Sequence, residues 1–140
     1  MSETQNLAVM QRYYEEVVNQ GNLAVADEIF TSDYISHHND PAHLPPGPPG
    51  VKAFVGITRV GFPDLRLTVD QIFAEGDQVA SMWTMQGTQT GEWFGTPPTG
   101  KQARWSGVVI TRFAGGKISE DWYNFDQLSL LMQLGIIPAQ

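Results

Sequence analysis

Residues 103–125 read ARWSGVVITRFAGGKISEDWYNF, and this stretch carries the clearest fold signal in the chain. Ala103–Phe113 and Ile118–Phe125 are rich in the β-branched and aromatic residues that favour strands. Between them, Ala114-Gly115-Gly116-Lys117 predicts a tight hairpin, because paired glycines accept a positive φ. We therefore expect two neighbouring antiparallel strands here.

The first of these two strands is apolar on both of its faces. Trp105 and Val109 belong to one set of alternating residues, and Val108 and Ile110 belong to the other. When one face of a sheet is exposed to solvent, its strands alternate more regularly between apolar and polar residues. We therefore expect helices to cover one face and a second copy of the chain to cover the other, as a two-fold homodimer.

The segments before the hairpin predict more of the same sheet. Alternating apolar residues from Leu65 onward indicate one strand, and Gln78–Thr88 indicates the next. Thr90–Lys101 is a loop rich in Gly, Thr and Pro, and its Trp93 and Phe94 are candidates for a lid.

Helices are predicted on either side of these strands. Apolar residues three and four apart indicate helices over Glu3–Gln20 and Asn22–Phe30, and another covers about Val51–Gly61. Asp126 is placed to cap a last helix that ends at Gly135. Helices, then an antiparallel meander, then a helix make an α+β fold rather than an alternating βαβ one.

Composition limits the possible functions. The 140 residues fit one domain, 1–140, and the absence of cysteine excludes disulfides and thiolate sites and fits the cytoplasm. A net charge of −7, with no cluster of Lys and Arg, argues against a nucleic-acid partner. No apolar run approaches the ~20 residues of a membrane span, so no membrane partner is expected.

Three histidines lie close together in a Pro-rich segment: His37, His38 and His43. Their spacing matches no familiar ligand motif, so we expect no metal site. Histidine is also a common general base near neutral pH. In the last strand, Asp121 and Tyr123 share one face, and a carboxylate among apolar neighbours has its pKa raised toward the range useful for proton transfer.

A series of short motifs runs through nearly the whole chain. In order they are Tyr34-Ile35-x-His37, Phe62-Pro63-Asp64-Leu65, Ala74-Glu75-Gly76-Asp77, Gly87-Thr88-x-Thr90-Gly91, Gly95-Thr96-Pro97-Pro98-Thr99-Gly100, Gly116-Lys117-Ile118-x-Glu120-x-Trp122, Asp126 and Gln133-Leu134-Gly135. In this order and spacing the chain resembles the SnoaL-like polyketide (ester) cyclases.

The resemblance implies a definite fold and a class of chemistry. N-terminal helices would pack on a strongly curved antiparallel sheet, forming a cone with an internal pocket, as in ketosteroid isomerase and nuclear transport factor 2-like proteins. The best-known members close a polycyclic ring by intramolecular aldol addition, with an Asp as acid and base and with no cofactor. A dimer or tetramer is also implied.

The catalytic pair of the cyclising members does not align with this chain without a gap. Counting from the C-terminal motifs puts Tyr123 at the position of their Asp and Val109 at that of their His. Asp121 matches only if a shift is allowed. The resemblance therefore supports the fold more strongly than it supports aldol cyclisation.

These observations lead to a hypothesis about the site. The candidate catalytic residues are His37, which the resemblance puts at the mouth of the cone, Asp121 and Asp126. We expect His37 to share one cavity with at least one of Trp122, Tyr123 and Asp126. The candidate substrate-binding residues are aromatic: Tyr34, Trp83, Trp93, Trp105, Trp122 and Tyr123.

The hypothesis for function is cofactor-free acid/base chemistry on a small apolar molecule, by cyclisation, isomerisation or hydrolysis. The alternative is a protein of the same fold that binds such a molecule without turnover. A pocket with one carboxylate and one histidine favours the enzyme, and a wholly apolar pocket favours the binder.

Overall fold

A computed structural model describes residues 2–37 and 43–138 of the chain, so His38 lies outside the described residues. The helical segments are α1 (Glu3–Arg12), a π-helix that continues it (Tyr13–Asn19), a 3₁₀ turn (Leu23–Val25), α2 (Ala26–Ile29), α3 (Pro48–Gly61) and α4 (Gln127–Gln133). The strands are β1 (Phe30–His37), β2 (Arg66–Glu75), β3 (Gln78–Thr88), β4 (Gln102–Ala114) and β5 (Lys117–Phe125).

The five strands form one open, curved sheet in the order β1-β5-β4-β3-β2. Strands β2 to β5 make the predicted antiparallel meander, and interruptions of register in three of the four strand pairs bend it. The expected α+β fold, with helices over a curved sheet, is confirmed. One detail differs, because β1 pairs with β5 in parallel and makes the sheet mixed.

From sequence, only a short extended piece beginning at Tyr34 and Ile35 was expected here, and its parallel pairing was not predicted because the partner strand is remote in sequence. Phe30 pairs with Ile118, and His37 pairs with Trp122. Because the paired residues are far apart in sequence, no turn motif between them indicates the pairing. Parallel strands need a long crossover, and here α3 together with the meander provides it. The strand also starts at Phe30, within the region that the sequence assigned to a helix.

We call the side of the sheet that packs on the helices the helix face, and the other side the open face. Strand β4 alternates between buried and exposed residues along its whole length. Gly107 lies on its helix face, where an added Cβ would come within 2.5 Å of the Trp83 ring. The absence of a side chain at Gly107 therefore leaves room for the ring of Trp83, the largest of the fully buried side chains.

The N-terminal helical segment packs on β2 and β3 and changes its winding midway. From Tyr13 the hydrogen bonds take the wider i→i+5 spacing, as in the bond from Gln20 N to Glu15 O (2.9 Å). In this segment Tyr14 is buried, and the adjacent Tyr13 is partly buried and packs against the same core. Among the described residues, no helix is long and apolar enough to span a membrane.

Candidate active site

A cavity of about 330 Å³, which we call the main cavity, opens between α3, β1, β5 and the π-helix. Most of its lining is apolar or aromatic. Among the described lining residues, Asp121 is the one that carries a carboxylate. The lining residues are Tyr13, Tyr34, Ile35, Ser36, Leu44, Pro45, Pro46, Gly50, Val51, Phe54, Asp121 and Tyr123.

Two hydroxyl groups from β1 hold the Asp121 carboxylate. Tyr34 Oη donates to Oδ2 at 2.6 Å, and Ser36 Oγ donates to Oδ1. Both contacts depend on the parallel pairing of β1 with β5, in which Ser36 lies directly beside Asp121. Hydrogen bonds to the charged form of a carboxylate favour that form. The parallel pairing, which the sequence did not predict, therefore fixes the position of the acidic group.

All 4 tyrosines of the chain surround this carboxylate. Burial raises the pKa of Tyr13, Tyr14, Tyr34 and Tyr123, and the negative charge of Asp121 adds to the rise in each case. The phenols therefore stay protonated and remain hydrogen-bond donors at any physiological pH. A single carboxylate with several neutral donors around it can take up and return a proton.

A smaller cavity of about 50 Å³, the inner cavity, lies deeper in the core. It shares Tyr13, Phe54, Asp121 and Tyr123 with the main cavity, so Asp121 stands between the two. The residues found only around the inner cavity are Met10, Tyr14, Val18, Phe30, Leu67, Trp83, Met85, Val109, Thr111 and Ile118.

The structure brings together four of the residues that the sequence singled out. Tyr34, Asp121 and Tyr123 line the main cavity, and Trp83 lines the inner one. The ring of Trp83 stacks on that of Tyr123, with centroids 5.8 Å apart. Tyr123 is thus held between the core and the main cavity.

His37 lies on the open face, and it lines neither of the two cavities described above. Its ring stacks on Trp122 at 5.3 Å, and its Nε2 lies 2.6 Å from Glu120 Oε2. Arg112 also bonds Glu120. Side chains alternate along a strand, so the position facing Asp121 belongs to Ser36, and its neighbour His37 faces the other way.

Asp126 performs the structural task predicted for it. Its Oδ1 accepts a hydrogen bond from Ser129 N at 3.0 Å and caps α4. It lines neither of the two cavities described above. The geometry therefore supports Asp121 rather than Asp126 as the carboxylate of the site.

Three of the predicted aromatic residues lie elsewhere. Trp105 is buried against Phe62 in the core, and Trp122 is exposed on the open face. Trp93 is also buried, and its Nε1 donates to Thr58 Oγ1 of α3 at 3.3 Å. Trp93 thus anchors its loop to α3 and does not form a lid.

Sequence reasoning missed several residues of the site. Tyr13 and Phe54 lie in helices, where the apolar stripe indicated only core packing. Ser36 is a short polar residue that no motif emphasised, although it stands beside the singled-out Tyr34 and His37. The only available signal was the alternation of β1, which would have placed Tyr34 and Ser36 on one face.

The fold and the cavity together define a class: α+β proteins whose helices and curved sheet enclose a pocket for a small molecule. Within that class, the family model described as SnoaL-like polyketide cyclase matches residues 8–134. The chain belongs to this family. No curated protein shows significant similarity to the sequence.

Solved structures resemble the chain over nearly its full length. TsrD from Streptomyces laurentii is 25% identical, with 98% of this chain and 99% of that chain covered and a TM-score of 0.88. AclR from Streptomyces galilaeus, a candidate hydroxylase, is 28% identical, with 99% and 86% covered and a TM-score of 0.83. IdmH from Streptomyces antibioticus, a candidate polyketide cyclase, is 32% identical, with 94% and 99% covered and a TM-score of 0.78.

Proposed function

We propose that this chain is a cofactor-free enzyme that binds a neutral, largely apolar molecule in the main cavity and transfers a proton through Asp121. The observation that carries the proposal is the position of Asp121. It is a carboxylate held by Tyr34 and Ser36 in a mostly apolar cavity, with phenols on several sides. Such an arrangement suits abstraction of a proton from a carbon next to a carbonyl group.

In this proposal the residues take separate roles. Asp121 accepts the proton, and Tyr34 and Ser36 orient the carboxylate. A phenol of the main cavity, Tyr13 or Tyr123, donates to the substrate oxygen on which negative charge develops. Phe54, whose ring meets that of Tyr123 edge-on at 6.2 Å, forms a wall that orients the substrate.

Return of the proton from Asp121 to another carbon completes an isomerisation. In a cyclisation the carbanion attacks a second carbonyl group, and the alkoxide formed there takes the proton back from Asp121. The family supports the latter, since its model describes polyketide cyclases. The candidate hydroxylase among the structural neighbours indicates that the same scaffold serves other chemistry as well.

The test is deuterium exchange from D₂O into the α-carbon of neutral bicyclic and tricyclic ketones, with 2-tetralone as the smallest. The wild-type protein should accelerate exchange above the buffer rate. Asp121→Asn should lower the catalysed rate by about 10²–10⁴-fold, the usual contribution of a general base. Glu120→Gln is the matched control, because that carboxylate is one residue away on the open face, and it should leave the rate unchanged.

The second candidate is a binding protein without turnover. The observation in its favour is the lining of the main cavity, which is apolar apart from Asp121, Ser36 and three phenols. A wild-type protein that binds these ketones, measured by quenching of tryptophan fluorescence, and gives no exchange above the buffer rate would support the binder.

A homodimer formed through the open face is also part of the proposal. Five large apolar side chains there are 38% to 62% exposed, and we call them the open-face patch: Phe73, Met82, Val108, Ile110 and Trp122. Val108 pairs with Met82 and Ile110 pairs with Trp122, so the patch is continuous across strands. A second copy of the same patch is the simplest cover for it.

The cytoplasm stays the proposed location. A chain with Cys 0 has no disulfide to protect and suits a reducing compartment. Fractionation of cells that make the protein, with immunodetection of the chain, checks this.

A further inference from the structure

The inner cavity adjoins the proposed base and is lined mainly by side chains of the hydrophobic core. Asp121 and Tyr123 are among the residues that line both cavities. Apart from Tyr14 and Thr111, the residues found only around the inner cavity are apolar, and each is at most 7% exposed. They are Met10, Val18, Phe30, Leu67, Trp83, Met85, Val109 and Ile118. The inner cavity is therefore a largely apolar space next to the site of proton transfer.

The two cavities differ in their access to solvent. Exposed residues, Ile35, Pro45 and Pro46, form part of the main cavity, whereas every residue found only around the inner cavity is buried. A substrate therefore enters through the main cavity, and only a part of it that extends past Asp121 reaches the inner one. In the proposed reaction the carbon that loses its proton lies next to Asp121, so a group attached to that carbon is the part that extends inward.

The volume of the inner cavity limits this group to a few atoms. The cavity measures about 50 Å³. One water-sized group occupies roughly 10–15 Å³ of such volume, so about two or three carbon atoms fit and a ring does not. Most of the lining offers no hydrogen bond, and a polar group placed there would lose its hydrogen bonds to water. The size and the lining together favour a short alkyl group.

We propose that the inner cavity is a substrate subsite for a short alkyl group, methyl or ethyl, carried by the carbon that Asp121 deprotonates. The inference rests on the proposed function and narrows its substrate class to neutral ketones with a short alkyl branch at the α-carbon. Burial of each added carbon should strengthen binding by about fourfold, until the chain exceeds the length of the cavity.

The experiment measures the dissociation constants of 2-tetralone and of its 1-methyl, 1-ethyl, 1-propyl and 1-phenyl derivatives by quenching of tryptophan fluorescence. For the wild type, the affinity should rise about fourfold with methyl and about 10- to 20-fold with ethyl, relative to 2-tetralone. It should fall again with phenyl, because a ring does not fit the inner cavity. Simple partition into an apolar surface would instead make the phenyl derivative the tightest ligand.

Val109 and Val51 supply a matched pair of variants, because Val109 lines only the inner cavity and Val51 lines only the main one. Val109→Met fills the inner cavity and should abolish the preference for the ethyl derivative over 2-tetralone. Val109→Ala enlarges the inner cavity and should move the optimum to the propyl derivative. Val51→Met should keep the wild-type preference. The two Val109 variants shift the preference in opposite directions, so a loss of stability cannot produce both results.

Xenon, which binds in apolar cavities, tests the inner cavity without a ketone. In crystals under xenon pressure, the wild type should bind xenon there and Val109→Met should not. A wild type without the preference for ethyl, a preference that Val109→Met leaves unchanged, or wild-type crystals with no xenon in the inner cavity would overturn the proposal. A wild type that shows the preference but gives no deuterium exchange would support the alkyl subsite and contradict the proton transfer alone.

Discussion

Strand β5 places two carboxylates one residue apart on opposite faces, and their surroundings differ completely. Asp121, on the helix face, is bonded by the neutral hydroxyls of Tyr34 and Ser36 inside a cavity. Glu120, on the open face, is paired with Arg112 and His37. The charge of Glu120 is thus balanced by other charged or chargeable groups at the surface, whereas Asp121 accepts hydrogen bonds from two neutral hydroxyls inside a mostly apolar cavity.

The two faces differ in packing as well. Every residue on the helix face of β4 is buried, and the glycine on that face, Gly107, leaves room for the Trp83 ring. The open face combines the Arg112–Glu120–His37 cluster with the open-face patch. The helix face therefore has the features of a pocket for a small molecule, and the open face carries the patch on which the proposed dimer rests.

The largest expected effect concerns the proposed dimer. Ile110→Asp puts a carboxylate in the middle of the open-face patch, and a two-fold axis would bring two such charges into one desolvated contact. We expect the dimer to weaken by about 100-fold or more, which sedimentation velocity at micromolar concentration measures. Val60→Asp, at a more exposed site on α3 and outside the open-face patch, should leave the assembly unchanged. A wild-type protein that sediments as a monomer contradicts the dimer.

The next largest effect tests the hydrogen bond by which Tyr34 positions the Asp121 carboxylate on the helix face. Tyr34→Phe removes the 2.6 Å hydrogen bond to Asp121 and keeps the aromatic wall. A hydrogen bond to a charged group is worth about 1.5–3 kcal/mol, so ketone exchange should slow by about 10- to 100-fold. Binding of the ketone, followed by fluorescence, should change little. An unchanged exchange rate would show that Tyr34 does not position the base.

A smaller effect tests the packing of the helix face. Gly107→Ala forces a methyl group against Trp83 and should lower the free energy of unfolding by about 1–3 kcal/mol, the usual cost of overpacking a core. The neighbouring Ser106 lies on the open face, so Ser106→Ala should change the free energy of unfolding by less than about 0.5 kcal/mol. Urea unfolding of both variants measures the difference. Equal stabilities would mean that Trp83 moves aside at little cost.

The distance in sequence between interacting residues explains which features could be predicted from the sequence and which could not. The meander and the Asp126 cap follow from local signals, namely period-two patterns, glycine turns and a capping residue, so they were predictable. The hydrogen bonds that hold Asp121 were not predictable, because they depend on a parallel pairing between Tyr34–Ser36 and a strand more than eighty residues away. The π-helix that turns Tyr13 toward the cavity has no local sequence signal either.

The position of His37 also depends on the pairing of β1 with β5, and it leads to the smallest expected effect. The residue was placed at the mouth of a cone by resemblance, but the register of β1 gives that side to Ser36 and stacks His37 on Trp122. His37→Ala should therefore leave ketone exchange unchanged. It should alter the free energy of unfolding by less than about 1 kcal/mol, since the side chain is 45% exposed and an exposed ion pair contributes little. A loss of exchange comparable to that of Asp121→Asn would mean that the open face takes part in the chemistry, and the division of roles between the two faces of β5 would then be wrong.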